Sequence, residues 1–131
     1  MKKLTLVFAA LVLLTSLVSA QSERAELKKE HLGNLVAAIN SDNSGLQRSG
    51  LYVIAQNGIT EATEAVHELY DTTNSQSVKF HSLRVMLILG GKDNLEKIRD
   101  ISRNETNIKI RSLAYSYYSH VVDDVLRYAS N

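Results

Sequence analysis

Three segments of this 131-residue chain are nearly the same: Leu46 to Gly58 (LQRSGLYVIAQNG), Val78 to Gly90 (VKFHSLRVMLILG) and Ile108 to His120 (IKIRSLAYSYYSH). They begin 32 and then 30 residues apart. An internal repeat at this period constrains the architecture more than any other feature, because a unit this short cannot bury its own apolar side and has to stack on a copy of itself. In the register set by the lettering, the first column is Leu46, Val78 and Ile108, all aliphatic. Four residues on stand Gly50, Ser82 and Ser112, all small, followed by Leu51, Leu83 and Leu113. These offsets share one helical face, on which the small residue admits a neighbouring helix and the leucine fills the groove beside it.

Every other segment of the folded part has helical period. Leu32, Leu35, Val36 and Ile39 form one apolar stripe; Ile59, Ala62, Val66 and Leu69 a second; Leu95, Ile98 and Ile101 a third. Each stripe ends in short polar residues, at 40–43, 71–75 and 102–104, which stop one helix and cap the next. Gly58 and Gly90-Gly91 close two of the repeated segments. The pattern predicts helices near 24–40, 44–57, 60–72, 75–89, 93–103, 105–118 and 120–129. The last two stay open as one bent helix, since Tyr118-Ser119-His120 lacks a glycine.

The N-terminus has the pattern of a secretory signal: Lys2-Lys3, an apolar run over Leu4 to Leu14, and Val18-Ser19-Ala20 where a peptidase would cut. The expected division is 1–20 signal peptide and 21–131 one helical domain, with units at about 24–58, 59–91 and 92–119 and a cap at 120–131. Its short length and lysine start suggest a bacterial exported protein, periplasmic or secreted, with no stable membrane anchor after cleavage. The absence of cysteine leaves packing alone to stabilise it. Removing Lys2 and Lys3 leaves 13 basic residues against 14 acidic, a net charge of −1, which argues against general nucleic-acid binding.

The repeated segments resemble the second helix of HEAT repeats, and the short period is similar to the compact bacterial type. The resemblance rests on Leu46-Gln47…Gly50-Leu51, Val78-Lys79…Ser82-Leu83 and Ile108-Lys109…Ser112-Leu113. It implies an all-α fold, a short α–α superhelix of about three helix pairs plus a C-terminal capping helix. Two features depart from the family: Gln47 stands at the basic position of the first unit, and the first helices lack the frequent proline.

Charge is split along the chain, most clearly in the middle unit. The second helices carry Arg48, Lys79, Arg84, Lys109 and Arg111, and no acid lies within 43–58 or 74–91. Glu105 stands where a helix dipole would favour an acid. The first helix of the middle unit carries Glu61, Glu64, Glu68 and Asp71 and no base. The functional reading is a basic face for an acidic protein segment or anionic glycan, with Arg48, Tyr52, Lys79, Arg84, Lys109 and Arg111 as contacts. The structural reading has Lys79 and Lys109 bracing loops through Asp42 or Asp71, with the rest solvated. Tyrosines gather late, at Tyr115, Tyr117, Tyr118 and Tyr128, either as contacts or as an aromatic cap.

No catalytic constellation emerges. His67-Glu68-Leu69-Tyr70-Asp71 has an aspartate where a zincin helix needs its second histidine, and His120 with Asp123 and Asp124 reads as a solvated helix turn. The expectation is a monomeric, non-catalytic interaction module without cofactor or metal, whose partner is an unidentified protein, acidic if the basic face is the contact. The alternatives are a carrier of a small apolar ligand and a non-catalytic subunit of an envelope enzyme.

Overall fold

The computed structural model describes residues 30–129, which are helical and contain no strand. The expected signal peptide, and the start of the first helix, lie outside the described residues. By internal contacts the chain divides into residues 1–34 and 35–131. In the first unit the described residues, 30–34, are helical. The second holds the rest of that helix, α1 (30–39), followed by α2 (Ser44–Asn57), a single 3-10 turn (Thr60–Ala62), α3 (Thr63–Thr72), α4 (Gln76–Leu89), α5 (Gly91–Asn104) and α6 (Ile108–Ala129).

Capping residues set these boundaries. Asn43 Oδ1 accepts from the amides of Gly45 and Leu46 at the start of α2, Ser75 Oγ accepts from Val78 at the start of α4, and Asn107 Oδ1 accepts from Lys109 and Ile110 at the start of α6. Each side chain satisfies amides that have no partner inside the helix. Gly58 ends α2 in the left-handed region, at φ 60° and ψ 41°. Gly90 ends α4 at φ 65°, and α5 begins at once on Gly91, at φ 82°. Two successive positive φ angles reverse the chain where another residue would be strained.

The caps reveal a stricter repeat than the lettering does. Asn43, Ser75 and Asn107 are spaced 32 residues apart, as are the helix starts Ser44, Gln76 and Ile108. The third segment is therefore two residues out of register in the lettering. The small residue facing the core of α6 is the buried Ala114, whereas Ser112 is exposed and Leu113 only half-buried. The equivalent positions are Leu46, Val78 and Ile110, then Gly50, Ser82 and Ala114. This also moves the basic position of the third unit from Lys109 to Arg111. Ile108, placed on the packing face by the lettering, is exposed, and Leu46 is half-exposed at the edge of α2.

The small column does what the repeat implies. A Cβ built on Gly50 would come within 2.7 Å of Ile39 Cγ2 and 3.4 Å of Ala38 Cβ, so α1 approaches α2 too closely for any larger residue without displacement. Leu51 and Leu83, beside the small residue, are both 0 % exposed. The core also takes Ile39, Ile54, Val66, Leu69, Val78, Met86, Ile98, Ile101 and Ile110, the apolar periodic positions of α1 to α6. Burying each large aliphatic side chain contributes about 2 kcal/mol. Helix α4 is central: it packs against α2, α3, α5 and α6, and α5 packs extensively along α6.

No separate capping helix forms. α6 runs unbroken for 22 residues through the expected boundary at 119–120. Val122 occupies the position 32 residues beyond Gly90, itself 32 beyond Gly58, and a β-branched residue there cannot supply the left-handed turn.

Candidate interaction surface

The six residues singled out in the sequence fall into two groups. Arg48 and Tyr52, one turn apart on α2, Arg84 on α4 and Lys109 on α6 are exposed. Tyr52 and Arg84 are separated by one repeat, so they take the same helical phase on neighbouring helices, with His81 and Ile88 exposed beside Arg84. Within 43–58, 74–91 and 108–122 there is no acidic residue. Over these stretches the exposed charged residues of the second helices, Arg48, Arg84 and Lys109, are all basic. Glu61, Glu64, Glu68, Asp71, Asp93, Glu96 and Asp100 lie in the first-helix segments.

Lys79 and Arg111 are engaged in holding loops. Lys79 Nζ lies 3.3 Å from Glu105 Oε2, with 24 % and 10 % of the two side chains exposed. Its partner is neither Asp42 nor Asp71; the latter binds Lys97 through both carboxylate oxygens at 2.7 Å. Arg111 Nη1 donates to the carbonyl of Glu105 at 3.0 Å. One repeat-pair earlier, Gln47 Nε2 makes the equivalent bond to the carbonyl of Ser41 at 2.7 Å. Position six after the loop carbonyl therefore serves the loop in both units, whichever side chain it carries.

Glu105 gathers these contacts. It receives the hydroxyl of Tyr70 at 2.6 Å on Oε2 and the amide of Asn107 at 3.0 Å on Oε1. The phenol hydrogen bond, then the Asn107 amide and Lys79, hold its carboxyl down to about 2 from the ordinary 4.5, against the opposing effect of burial. Burial, and then the bond to Glu105, push the Tyr70 phenol far above its ordinary value. The Tyr70 ring, 4 % exposed, also lies within reach of two cations: Lys79 Nζ is 5.0 Å and Lys97 Nζ 6.0 Å from its centroid. The sequence gives Glu105 only a dipole role at a helix start, because its main partner is 35 residues away.

The same positions one repeat earlier are Ala38 for Tyr70, Thr73 for Glu105 and Gln47 for Lys79. Gln47 and Thr73 line an open cleft of about 540 Å³. Its floor is Ile39 and Leu69, and its walls are mostly amides and hydroxyls, among them Asn40, Ser41, Gln47, Thr73 and Asn74, together with Asp42 and Glu68.

The remaining motifs are absorbed by packing. His67 Nε2 lies 2.8 Å from Asn94 Oδ1, and Asn94 Nδ2 donates to the Gly90 carbonyl at 2.7 Å, so the imidazole proton sits on Nε2 and ties α3 to the start of α5. His120 Nε2 is 3.8 Å from Asp124, one turn on. Among the described residues no group of three or more His, Cys, Asp or Glu is placed to hold a metal ion, and no helix is long and apolar enough to cross a membrane. Tyr115 and Tyr128 are exposed while Tyr117 and Tyr118 are half-buried. No protein-family model, curated protein sequence or solved structure matches this chain.

Proposed function

We propose that the chain is an exported, non-catalytic interaction module: a short HEAT-like superhelix of about three helix pairs whose second helices present a basic, aromatic face to an acidic segment of another protein. The observation that carries this reading is the partition of charge. Acid-free stretches hold the exposed Arg48, Tyr52, Arg84 and Lys109, while the first-helix segment of the middle unit carries Glu61, Glu64, Glu68 and Asp71 and no base. A potential of one sign on one face steers and orients an oppositely charged partner. Tyrosine adds contact area at low entropic cost. Lys79 and Arg111 support this face from behind and do not belong to the contact set. The cleft walled by amides and hydroxyls offers little to an apolar ligand, which makes the carrier reading the weaker one.

The test compares binding of a glutamate-rich and a lysine-rich peptide of equal length, by calorimetry at low and high salt. The proposal predicts binding of the acidic peptide only, weakening as salt rises. Arg48→Glu, Arg84→Glu and Lys109→Glu together abolish it without loss of helicity. Equal binding of both peptides, or acidic binding that survives the triple reversal, refutes it.

A further inference from the structure

We infer that the cleft lined by Gln47 and Thr73 is a binding site for an uncharged saccharide, held by hydrogen bonds between its hydroxyls and the amides, hydroxyls and two carboxylates of the walls. The cleft shares no residue with Arg48, Tyr52, Arg84 and Lys109, so the inference stands or falls separately from the function proposed above. Its first support is the chemistry of the lining. The two apolar residues of the floor, Ile39 and Leu69, are 0 % and 4 % exposed, so the surface a ligand meets is polar almost throughout. Asp42 and Glu68 line the cleft, and no lysine, arginine or histidine does. Two carboxylates without a base turn anions away and, being acceptors only, call for a ligand rich in donors. The amides and hydroxyls beside them donate as well as accept, so a simple cation would leave the amide hydrogens of the walls unused. A sugar has the matching complement: adjacent hydroxyls on a neutral ring, each able to donate and to accept. The volume of about 540 Å³ lies within the range of small-molecule sites.

The second support is that these polar groups are unspent. The side chains of Asn40, Asp42, Ser44, Glu68 and Asn74 make no hydrogen bond or ion pair with another described residue. The residues one 32-residue period later show that such positions need not stay open. There the Lys79 ammonium pairs with Glu105 at 3.3 Å, and the Tyr70 hydroxyl donates to the same carboxylate. Asp100, the counterpart of Glu68, accepts from Asn104 at 2.6 Å. The later period satisfies its polar groups from within the chain, whereas the earlier one leaves donors and acceptors around a single cleft. Each hydrogen bond to a ligand replaces one to water and is worth little alone. Binding therefore relies on several at once, and those to Asp42 and Glu68, being charge-assisted, are the strongest.

The test is a nitrogen–proton NMR titration of the full chain with cellobiose, maltose and lactose, each to about 50 mM, a concentration that reveals a millimolar dissociation constant. At least one of them should shift the amides of residues 40–44 and 72–75 saturably, and glucuronic and galacturonic acids should not. Asp42→Ala with Glu68→Ala changes exposed side chains only. It should weaken binding roughly tenfold or more with unchanged far-ultraviolet circular dichroism. Glu61→Ala with Glu64→Ala, acids outside the cleft, should leave binding as it is. Gln47→Lys with Thr73→Glu, which supplies the ion pair of the later period, should remove it. The absence of a saturable shift with all three disaccharides overturns the inference. So do shifts that fall outside the cleft, equal binding of the two anionic sugars, or binding that survives both the carboxylate and the ion-pair variants.

Discussion

Two regions of the chain, one 32-residue period apart, use the same positions and are filled differently. Between α3–α4 and α5–α6, Tyr70, Lys79 and Glu105 form a braced cluster, with Lys97 and Asp71 beside it. Between α1–α2 and α3–α4, the corresponding residues are Ala38, Gln47 and Thr73, with Ala65 and Ile39 in place of the second ion pair, and a cleft lies open there. The backbone repeat is the same in both, down to the cap spacing. The difference shows that the period specifies the packing of helices, and that a few long polar side chains decide how firmly one pair is locked to the next. It also gives the chain one stiff and one accessible junction.

The sharpest way to break the comparison is Tyr70→Ala, which removes a buried ring and leaves the Glu105 carboxylate without its phenol donor. The expected loss is about 4 kcal/mol of unfolding free energy in denaturant titration. Phe at the same site should keep the packing and lose about 2 kcal/mol, the value of a hydrogen bond to a charged acceptor.

Glu105→Gln is the next largest. The carboxyl is more acidic folded than unfolded, so its contribution is fully present above its ordinary value of 4.5 and is lost as pH falls towards 2. The variant should lose about 2 kcal/mol at pH 7 and be nearly equal to wild type at pH 2. Thermal melts across pH 2 to 7 check this, and parallel curves for the two proteins would remove Glu105 from the brace.

Gly50→Ala tests the helix contact at the other junction. The new methyl meets the stiff Cγ2 of Ile39 at 2.7 Å. A clash cost of about 2 kcal/mol, offset by the roughly 1 kcal/mol better helix propensity of alanine, leaves a net loss of about 1 kcal/mol. The equivalent residue Ser82 gives the opposite sign. Its hydroxyl is buried with no hydrogen-bond partner in the described structure, so Ser82→Ala should be neutral or stabilise by up to about 1 kcal/mol. Transplanting the brace, with Gln47→Lys and Thr73→Glu, should give the smallest effect, a gain of about 0.5 kcal/mol, because without a tyrosine at position 38 the new pair stays solvated.

Much of the fold is legible in the sequence because it is written in local chemistry. The second and third periodic stripes are buried at Ala62 of the 3-10 turn, Val66 and Leu69 of α3 and Ile98 and Ile101 of α5, with Ile59 and Leu95 half-buried, and short polar residues and Gly58 and Gly90 set the helix ends. The third unit is misread because Ile108-Lys109…Ser112-Leu113 copies the letters of the other units while Ile110…Ala114 copies their geometry. The cap spacing of Asn43, Ser75 and Asn107 is the signal that resolves it, since a capping side chain fixes the phase of the whole helix behind it. The brace is not legible, because Tyr70, Lys79 and Glu105 belong to three different elements and meet only in the folded chain. The basic residues illustrate the same boundary. Sequence groups Lys79 and Arg111 with Arg48 and Arg84 by charge, and only packing separates the two that hold loops from those that face solvent.

The unequal junctions are tested most directly by residue-resolved native-state hydrogen exchange at pH 7. The account predicts that the core amides of α4, α5 and α6, around Leu83, Ile98 and Ile110, open only with global unfolding. Those of α2 around Leu51 and Ile54 should exchange through a partial opening about 2 kcal/mol lower in free energy. Glu105→Gln should narrow that gap. Protection of α2 equal to or greater than that of α5 in the wild-type chain would contradict it.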